Sequence, residues 1–215
     1  MVEFLRKEQE NLNKKSMKMV YNRHFYYIDL GKYGVDVNYF NFVRHPVERF
    51  ISNFYYERSP NRWLGRHDRP KDSWFRKTLD QCVADEEDRE CQIGVGQELQ
   101  MRYFCDCYTS SMTEEEMMME ALRTVDQDFS VVGVLEMFND SLAVLEQFLP
   151  SFFEGAREAF PRVEEKFFNH NPHRKVLNKT REILSQRLKY DIEFYQFVKQ
   201  RLSLQLQKIN MRTNK

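Results

Sequence analysis

The chain has 215 residues, with 33 lysines and arginines against 33 aspartates and glutamates, so its formal net charge is zero. This balance excludes the broad basic field that attracts nucleic acid, and any anion site must be local. Hydrophobic residues make up 41% and aromatic residues 14% of the chain, which supplies a core and excludes wholesale disorder. We expect a single domain over residues 1–215, because no repeat or low-complexity linker divides the chain.

The sequence predicts no membrane-spanning helix, since no run approaches about 20 consecutive apolar residues. The first ten residues are charged and lack the apolar centre and small-residue cleavage site of a signal peptide. From these residues alone, we expect no route into the secretory pathway.

A strand–turn–helix unit is predicted in the first quarter of the chain, after a polar helix at residues 3–19. Phe25–Leu30 and Tyr39–Val43 are rich in aromatic and β-branched residues and predict two short strands. Arg44-His45-Pro46 follows the second strand at once, and apolar residues then recur at helical spacing from Val47 to Tyr55. Proline suits the first turn of a helix, because its missing N–H would have no partner there.

Helices predominate in the remainder of the chain, and one further buried strand is expected. The predicted helices are 74–83, 97–104, 113–127 with Thr113 as its cap, 140–149 and 180–209, and the predicted strand is 130–135. This order of elements favours an α/β fold with a small parallel sheet.

The junction between the second strand and its helix is the strongest local candidate for an anion site. The first N–H groups of a helix and its dipole attract anions, and the planar guanidinium of Arg44 suits phosphate. Ser52 lies about two helical turns further along. From these residues alone, a phosphate site and a plain helix start both remain open.

His24 and a group of arginines are further candidates. A lone histidine is usually structural or merely exposed, so a catalytic role for His24 needs more context. Residues 60–71 form a polar loop, and the arginines in it or beside it are Arg58, Arg62, Arg66 and Arg69. This loop is either a solvated surface or a site for a sulfated or carboxylated polymer, which binds many guanidinium groups.

All four cysteines lie within one quarter of the chain, and they are Cys82, Cys91, Cys105 and Cys107. An even, clustered number is typical of a local disulfide framework in an oxidising compartment. Four ordinary thiols and a zinc site are the alternatives, although the spacing fits no common zinc pattern. Asn139-Asp-Ser and Asn178-Lys-Thr match the glycosylation sequon, a triplet that is also common by chance.

Residues 39–56, YFNFVRHPVERFISNFYY, resemble the 3′-phosphate-binding motif of carbohydrate sulfotransferases, and more narrowly that of the uronyl and heparan sulfate 2-O-sulfotransferases. That family has aspartate where this chain has His45. Segments similar to the family follow in the same order at 23–34, 78–83, 102–105, 132–136, 145–155 and 186–195. The similarity therefore covers nearly the whole chain, and the ordered set is far more specific than any one motif.

The resemblance implies a sulfotransferase-type, P-loop-like α/β fold that uses 3′-phosphoadenosine 5′-phosphosulfate as donor and no metal. The implied acceptor is the 2-hydroxyl of a uronic acid in heparan, dermatan or chondroitin sulfate. Position by position, Arg44 and Ser52 would hold the 3′-phosphate and His24 would be the general base. The residues implied for the acidic polymer are Arg58, Arg62, Arg66, Arg69, Arg174 and Lys175. The implied disulfide is Cys82–Cys91. The family also pairs Cys105 with a cysteine several residues further on, for which Cys107 is the only candidate here.

The family begins with a membrane anchor, followed by a strand and a lysine-containing loop that binds the 5′-phosphosulfate. This sequence starts after that loop, so we expect the chain to lack the strand and the loop and to transfer little sulfonate. By resemblance, the complete form is a type II membrane protein of the Golgi lumen, attached only through that anchor, and a homotrimer. The alternative is a non-catalytic relative that binds an anionic polysaccharide or a 3′-phosphate nucleotide.

Overall fold

The computed structural model describes residues 2–15, 18–21, 26–92, 99–107, 111–162 and 175–213. In these residues, helices pack around a two-stranded parallel sheet, which confirms the predicted α/β class with a small parallel sheet. Among the described helices, none is both long enough and apolar enough to cross a bilayer.

The regular elements alternate between short connecting helices and a few longer helices. The strands are β1, Tyr39–Val43, and β2, Phe129–Val134. The α-helices are α1, Val2–Lys15; α2, Pro46–Glu57; α3, Asp72–Arg76; α4, Leu79–Ala84; α5, Glu114–Asp128; α6, Phe138–Phe148; α7, Pro150–Phe153; α8, Ala156–Ala159; α9, Asn178–Arg187; and α10, Lys189–Thr213. The 3₁₀ helices are Leu30–Tyr33, Pro60–Trp63, Arg89–Cys91, Gln100–Phe104, Leu135–Met137 and Phe160–Arg162.

The two strands run in parallel and end at the same edge of the sheet, with Val43 opposite Val134. β2 is buried along almost all its length, whereas β1 is mostly half-buried. The side chains of Arg201 and Gln205 on α10 donate to backbone carbonyls of β2 at 2.7 and 3.0 Å. Helix α10 therefore satisfies polar groups that a lone pair of strands would leave without partners.

The core lies where α5, α6 and α10 pack against β2. The ring of Phe104 lies 5.2 Å from that of Phe129 and 4.9 Å from that of Phe194, measured between centroids. Leu145 of α6 and Leu202 of α10 are fully buried beside them. This burial fixes α10 across the sheet and so places its polar residues as well.

The predicted strand at 25–30 is wrong for the residues that the structure describes. Residues 26–29 have no regular structure, and Leu30–Tyr33 is a 3₁₀ helix that the Asp29 side chain caps. The Tyr39 hydroxyl donates to one backbone carbonyl of this segment at 2.7 Å and accepts a backbone N–H at 3.0 Å. These local bonds satisfy the backbone groups that a strand would have offered to the sheet.

Two predicted helices are divided in the structure. The helix expected at 74–83 is α3 and α4, because Thr78 begins a new helix with a capping box. The long helix expected at 180–209 is α9 and α10, which are separated at Leu188. The described part of the helix expected at 97–104 is a 3₁₀ helix. β1, α2, α5 with its predicted threonine cap, β2 and α6 lie where the sequence predicts them.

Gly133 of β2 provides a test of how closely the sheet packs. A Cβ atom at Gly133 would lie 2.6 Å from Cδ1 of Phe42, whose ring stacks on that of Phe138 at 5.4 Å. We expect Gly133→Ala to lower the free energy of unfolding by about 1–3 kcal/mol in urea, because the added methyl overpacks this contact. Adding Phe42→Leu should recover part of that loss, and strictly additive effects would contradict the packing explanation.

Candidate functional site

The parallel pairing of the strands brings the turns after β1 and β2 together. Arg44 and His45 directly follow β1, and the 3₁₀ helix that carries Glu136 directly follows β2. Val43 and Val134 face each other at the ends of the strands, so the two turns are neighbours. The backbone N–H of His45 donates to Oε1 of Glu136 at 2.8 Å. This bond ties one turn to the other.

A second connection reaches Arg44 from the 3₁₀ helix Gln100–Phe104. Nε2 of Gln100 donates to the carbonyl of Arg44 at 2.9 Å, and the backbone N–H of Arg44 donates to Oε1 of Gln100 at 3.2 Å. The carboxylate of Asp191 on α10 in turn accepts the backbone N–H groups of Gln100 and Met101, at 3.1 and 2.9 Å. Burial raises the pKa of Asp191 to about 6, although both N–H bonds act to lower it.

The first turn of α2 is the predicted anion site. His45 is the N-cap and makes no side-chain capping bond, and Pro46 is the first helical residue. Glu48, the acidic residue of this turn, forms an ion pair with Arg181 of α9. That pairing offsets a negative charge that would otherwise repel an anion at the helix start.

Arg44 and Ser52, the two predicted 3′-phosphate ligands, are both half-buried. Arg44 lies two residues before Pro46, the first residue of α2, and Ser52 lies in the second turn of that helix, about 9 Å along the axis from Pro46. Ser52 follows Glu48 by one helical turn, so the two side chains share a side of α2.

His45 stands where the sulfotransferase motif has aspartate, and its ring takes part in packing. The ring lies edge-on to that of Tyr195 on α10, with centroids 5.3 Å apart. Nδ1 of His45 is buried without a hydrogen-bond partner among the described residues. The Tyr195 hydroxyl donates to Oε2 of Glu136 at 3.2 Å, and burial is the main reason that the pKa of Tyr195 is raised.

His24, the predicted base, lies outside the described residues, as does Arg174. Tyr26 and Tyr27, the first described residues after His24, both contact other elements. The Tyr26 ring stacks on that of Tyr103 at 5.4 Å, and the Tyr27 hydroxyl donates to Asp128 at 2.7 Å. Tyr103 belongs to the same 3₁₀ helix as Gln100. The segment after His24 and the backbone of Arg44 therefore contact one common element.

Arg58 is not available to a polymer, which corrects its assignment as a polymer-binding residue. Its side chain is 4% exposed, and the guanidinium lies 3.5 Å from the ring centroid of Phe54 and 4.3 Å from that of Trp74. It also pairs with Glu90 at 2.7 Å. A guanidinium held between two rings and a carboxylate stabilises the fold, because little of it faces solvent.

The other three arginines lie on an exposed surface, as the polymer-binding hypothesis requires. Each is paired with a nearby carboxylate and lies over an aromatic ring. The pairs are Arg62 with Glu57 and Tyr56, Arg66 with Asp68 and Trp63, and Arg69 with Asp72 and Phe75. Exposed ion pairs contribute only about 0–1 kcal/mol, so a polymer anion can replace the carboxylates at low cost. Lys175 is also exposed.

The structure contains both cysteine pairs that the resemblance implies, Cys82–Cys91 and Cys105–Cys107. Both sequon asparagines, Asn139 and Asn178, are exposed at helix starts. The hydroxyls of their sequons are buried instead. Ser141 bonds the backbone of Val134 and Met137, and Thr180 bonds Asp80. These hydroxyls thus have structural partners whether or not the asparagines carry glycans.

A surface cavity of about 660 Å³ lies between α6, α8 and α10 rather than at the strand edge. Its lining is mainly polar, and the Glu146–Arg157 ion pair forms part of it. None of the residues predicted to hold donor or polymer lines this cavity.

Gln100, Glu136 and Asp191 were not predicted as site residues. Glu136 had a usable signal, because it follows a buried strand at the edge where parallel strands end. Asp191 had one as well, because it is a charged residue on the otherwise apolar face that carries Leu188 and Tyr195. Gln100 had none, since nothing local distinguishes it from an exposed glutamine.

The chain is similar to several curated proteins, and no family model matches it. It is 32% identical to a uronyl 2-sulfotransferase homolog, pip, of Drosophila melanogaster, over 86% of this chain and 40% of that protein. It is 28% identical to the uronyl 2-sulfotransferase of Homo sapiens, over 95% of this chain and 53% of that protein. It is 29% identical to the human heparan sulfate 2-O-sulfotransferase 1, over 82% of this chain and 51% of that protein.

The chain is a homologue of the uronyl and heparan sulfate 2-O-sulfotransferases. This finding confirms the resemblance carried by the 39–56 segment and its neighbours. The chain spans about half the length of the curated relatives it matches.

Arg58 provides a test that separates the buried arginine from the exposed ones. We expect Arg58→Met to lower the free energy of unfolding by about 2–4 kcal/mol in urea, because Glu90 loses its buried partner. Arg66→Met, on the exposed loop, should change it by less than about 0.5 kcal/mol. Adding Glu90→Gln to Arg58→Met should recover part of the loss. Equal losses for Arg58→Met and Arg66→Met would contradict the structural role of Arg58.

Proposed function

We propose that this chain carries the 3′-phosphate site and the general base of a glycosaminoglycan uronyl 2-O-sulfotransferase. The donor would be 3′-phosphoadenosine 5′-phosphosulfate, and the acceptor the 2-hydroxyl of a uronic acid in heparan, dermatan or chondroitin sulfate. The observation that carries the proposal is the Arg44–Pro46 turn, held at the end of β1 by Gln100 and Glu136. The printed names of the homologues support the same activity.

The strand–turn–helix geometry suits the recognition of a phosphate dianion. The uncapped first turn of α2 supplies backbone N–H groups and the positive end of the helix dipole. The guanidinium of Arg44 adds charge and directional donors, and the Ser52 hydroxyl adds one further donor. These groups bind the nucleotide that leaves as well as the donor that arrives, since both carry the 3′-phosphate.

His24 would take the proton from the uronic acid 2-hydroxyl as that oxygen attacks the sulfur atom. The new S–O bond forms while the bond from sulfur to the 5′-phosphate oxygen breaks, which leaves adenosine 3′,5′-bisphosphate. A neutral imidazole near its ordinary pKa suits this role. The packing of Tyr26 on Tyr103 supports the assignment, because it anchors the segment after His24 to the helix that carries Gln100.

The exposed arginines would bind the acidic polymer. Arg62, Arg66 and Arg69 offer three guanidinium groups over aromatic rings, and their carboxylate partners can exchange for polymer sulfates and carboxylates. Arg174 and Lys175 are proposed as further contacts. The two disulfides support residence in an oxidising lumen, and we propose the Golgi, with homotrimeric assembly.

Arg44→Ala should weaken the binding of adenosine 3′,5′-bisphosphate, measured by titration calorimetry. The expected loss is about 1.5–3 kcal/mol for each charge-assisted hydrogen bond removed. Adenosine 5′-phosphate, which lacks the 3′-phosphate, should bind the variant and the unchanged chain alike. Arg66→Ala is the matched control and should leave both affinities unchanged. An unchanged affinity of Arg44→Ala for the bisphosphate would remove this site assignment.

His24→Ala should separate chemistry from binding, when it is made in the longest product that the gene encodes. The rate of labelled sulfonate transfer to a desulfated polymer should fall by about 10²–10⁴-fold, because the general base is lost. Binding of adenosine 3′,5′-bisphosphate should be nearly intact, since Arg44 and Ser52 are unchanged. An unchanged transfer rate in the variant would show that His24 is not the general base. Binding without transfer by the unmodified product would favour a non-catalytic, anion-binding relative.

A further inference from the structure

The side chain of Gln100 pairs with Arg44 as a neighbouring strand would. Its amide accepts the N–H and donates to the C=O of the same residue, at 3.2 and 2.9 Å. A hydrogen-bonded residue pair in an antiparallel sheet exchanges both bonds in this way. Gln100 is 4% exposed, so water competes little for these bonds. The peptide groups on both sides of Arg44 are therefore fixed.

Gln100 is itself held by a buried carboxylate from a distant part of the chain. The N-cap of its 3₁₀ helix is Leu99, whose side chain cannot cap, and Asp191 of α10 accepts the first N–H groups instead. Asp191 is 1% exposed. Burying a carboxylate is costly unless it is hydrogen-bonded, and here its two oxygens bond the backbone N–H groups of Gln100 and Met101. An apolar residue would pack on this face of α10 without that cost. What Asp191 adds is therefore the cap on the 3₁₀ helix that carries Gln100.

Helix α10 also supports His45, the residue after Arg44, through a second side chain. Tyr195 follows Asp191 by one helical turn, and its hydroxyl donates to the carboxylate of Glu136 that accepts the N–H of His45. Consecutive residues of the turn, Arg44 and His45, are thus both held by side chains, and α10 supports each of those side chains. Helix α10 is itself fixed by the core around Leu202.

We propose that Gln100 is a positioning residue for the 3′-phosphate site, that Asp191 anchors it, and that the pair sets the affinity for the phosphate by fixing the backbone of Arg44. This inference rests on the proposed function, because it assumes that Arg44 binds the 3′-phosphate. Recognition of phosphate by a guanidinium depends on direction. A small shift of the backbone therefore weakens binding although no group that touches the ligand is lost.

Gln100→Met tests the proposal, because methionine has a similar length and shape but cannot make either hydrogen bond. Titration calorimetry on the full 215-residue chain compares adenosine 3′,5′-bisphosphate with adenosine 5′-phosphate. We expect about a tenfold loss of affinity for the bisphosphate, within the range for coupled neighbours, and almost none for the monophosphate. Gln147→Met, at an exposed position of α6, is the matched control and should change neither affinity.

The same substitution in the Arg44→Ala background shows whether Gln100 acts through Arg44. We expect no further loss there. A loss of equal size in both backgrounds, or an equal loss for the two nucleotides, would overturn the positioning role while the Arg44 site stands. If Arg44→Ala alone leaves the bisphosphate affinity unchanged, the proposed function is wrong, and the inference falls with it.

Gln100→Glu keeps the test open if the methionine variant does not fold. Glutamate retains the length of the side chain and an acceptor for the N–H of Arg44, but a carboxylate oxygen replaces the donor to its carbonyl. Its bisphosphate affinity should fall by about tenfold or more, because a buried carboxylate oxygen then faces the carbonyl of Arg44 and its charge lies beside the phosphate site, with a smaller change for the monophosphate. Unchanged bisphosphate affinity in Gln100→Glu would overturn the proposal.

Discussion

The parallel pairing of β1 with β2 is the constraint on which the rest of the structure depends. With Val43 opposite Val134, both strands deliver their following residues to one edge, and the contact between His45 and Glu136 is a direct result. A sheet of two strands has little stability by itself. Here it is stabilised because α5, α6 and α10 cover β2 and because α10 side chains bond its backbone.

Arginines close together in sequence have different roles in this fold. Arg58 and Arg66 both lie over aromatic rings and both pair with carboxylates, yet one is buried and the other exposed. The difference comes from Trp74 and Glu90, which cover Arg58 from 16 and 32 residues further along the chain. The buried charge of Arg58 therefore stabilises the packing of the domain, whereas the exposed charge of Arg66 can interact with a solute.

Elements with a local cause were predictable from the sequence. The β1–Arg44–α2 unit follows from a β-rich run, a proline and helical periodicity, and Thr113 begins α5 through bonds within one turn. Elements decided by side chains outside their own segment were not predictable. The Tyr39 hydroxyl diverts residues 26–30 from a strand, and Gln100 contacts Arg44 across 56 residues of chain. A motif thus identifies Arg44 as a candidate ligand, whereas the groups that hold its backbone in place are seen only in the folded chain.

The distribution of these groups along the chain has a consequence for biosynthesis. Arg44, Gln100, Glu136 and Asp191 come from four separate stretches, and the bonds of His45 to Glu136 and of Gln100 to Asp191 each close a loop of 91 residues. A nascent chain that has not yet released α10 from the ribosome contains the Arg44–Pro46 turn but lacks the side chains of α10 that support it. Contacts so distant in sequence form slowly, because the entropy of loop closure is lost before the contacts can compensate for it. The bonds that hold the Arg44–His45 turn are therefore complete only after α10 has emerged, and a half-made chain presents this turn without them.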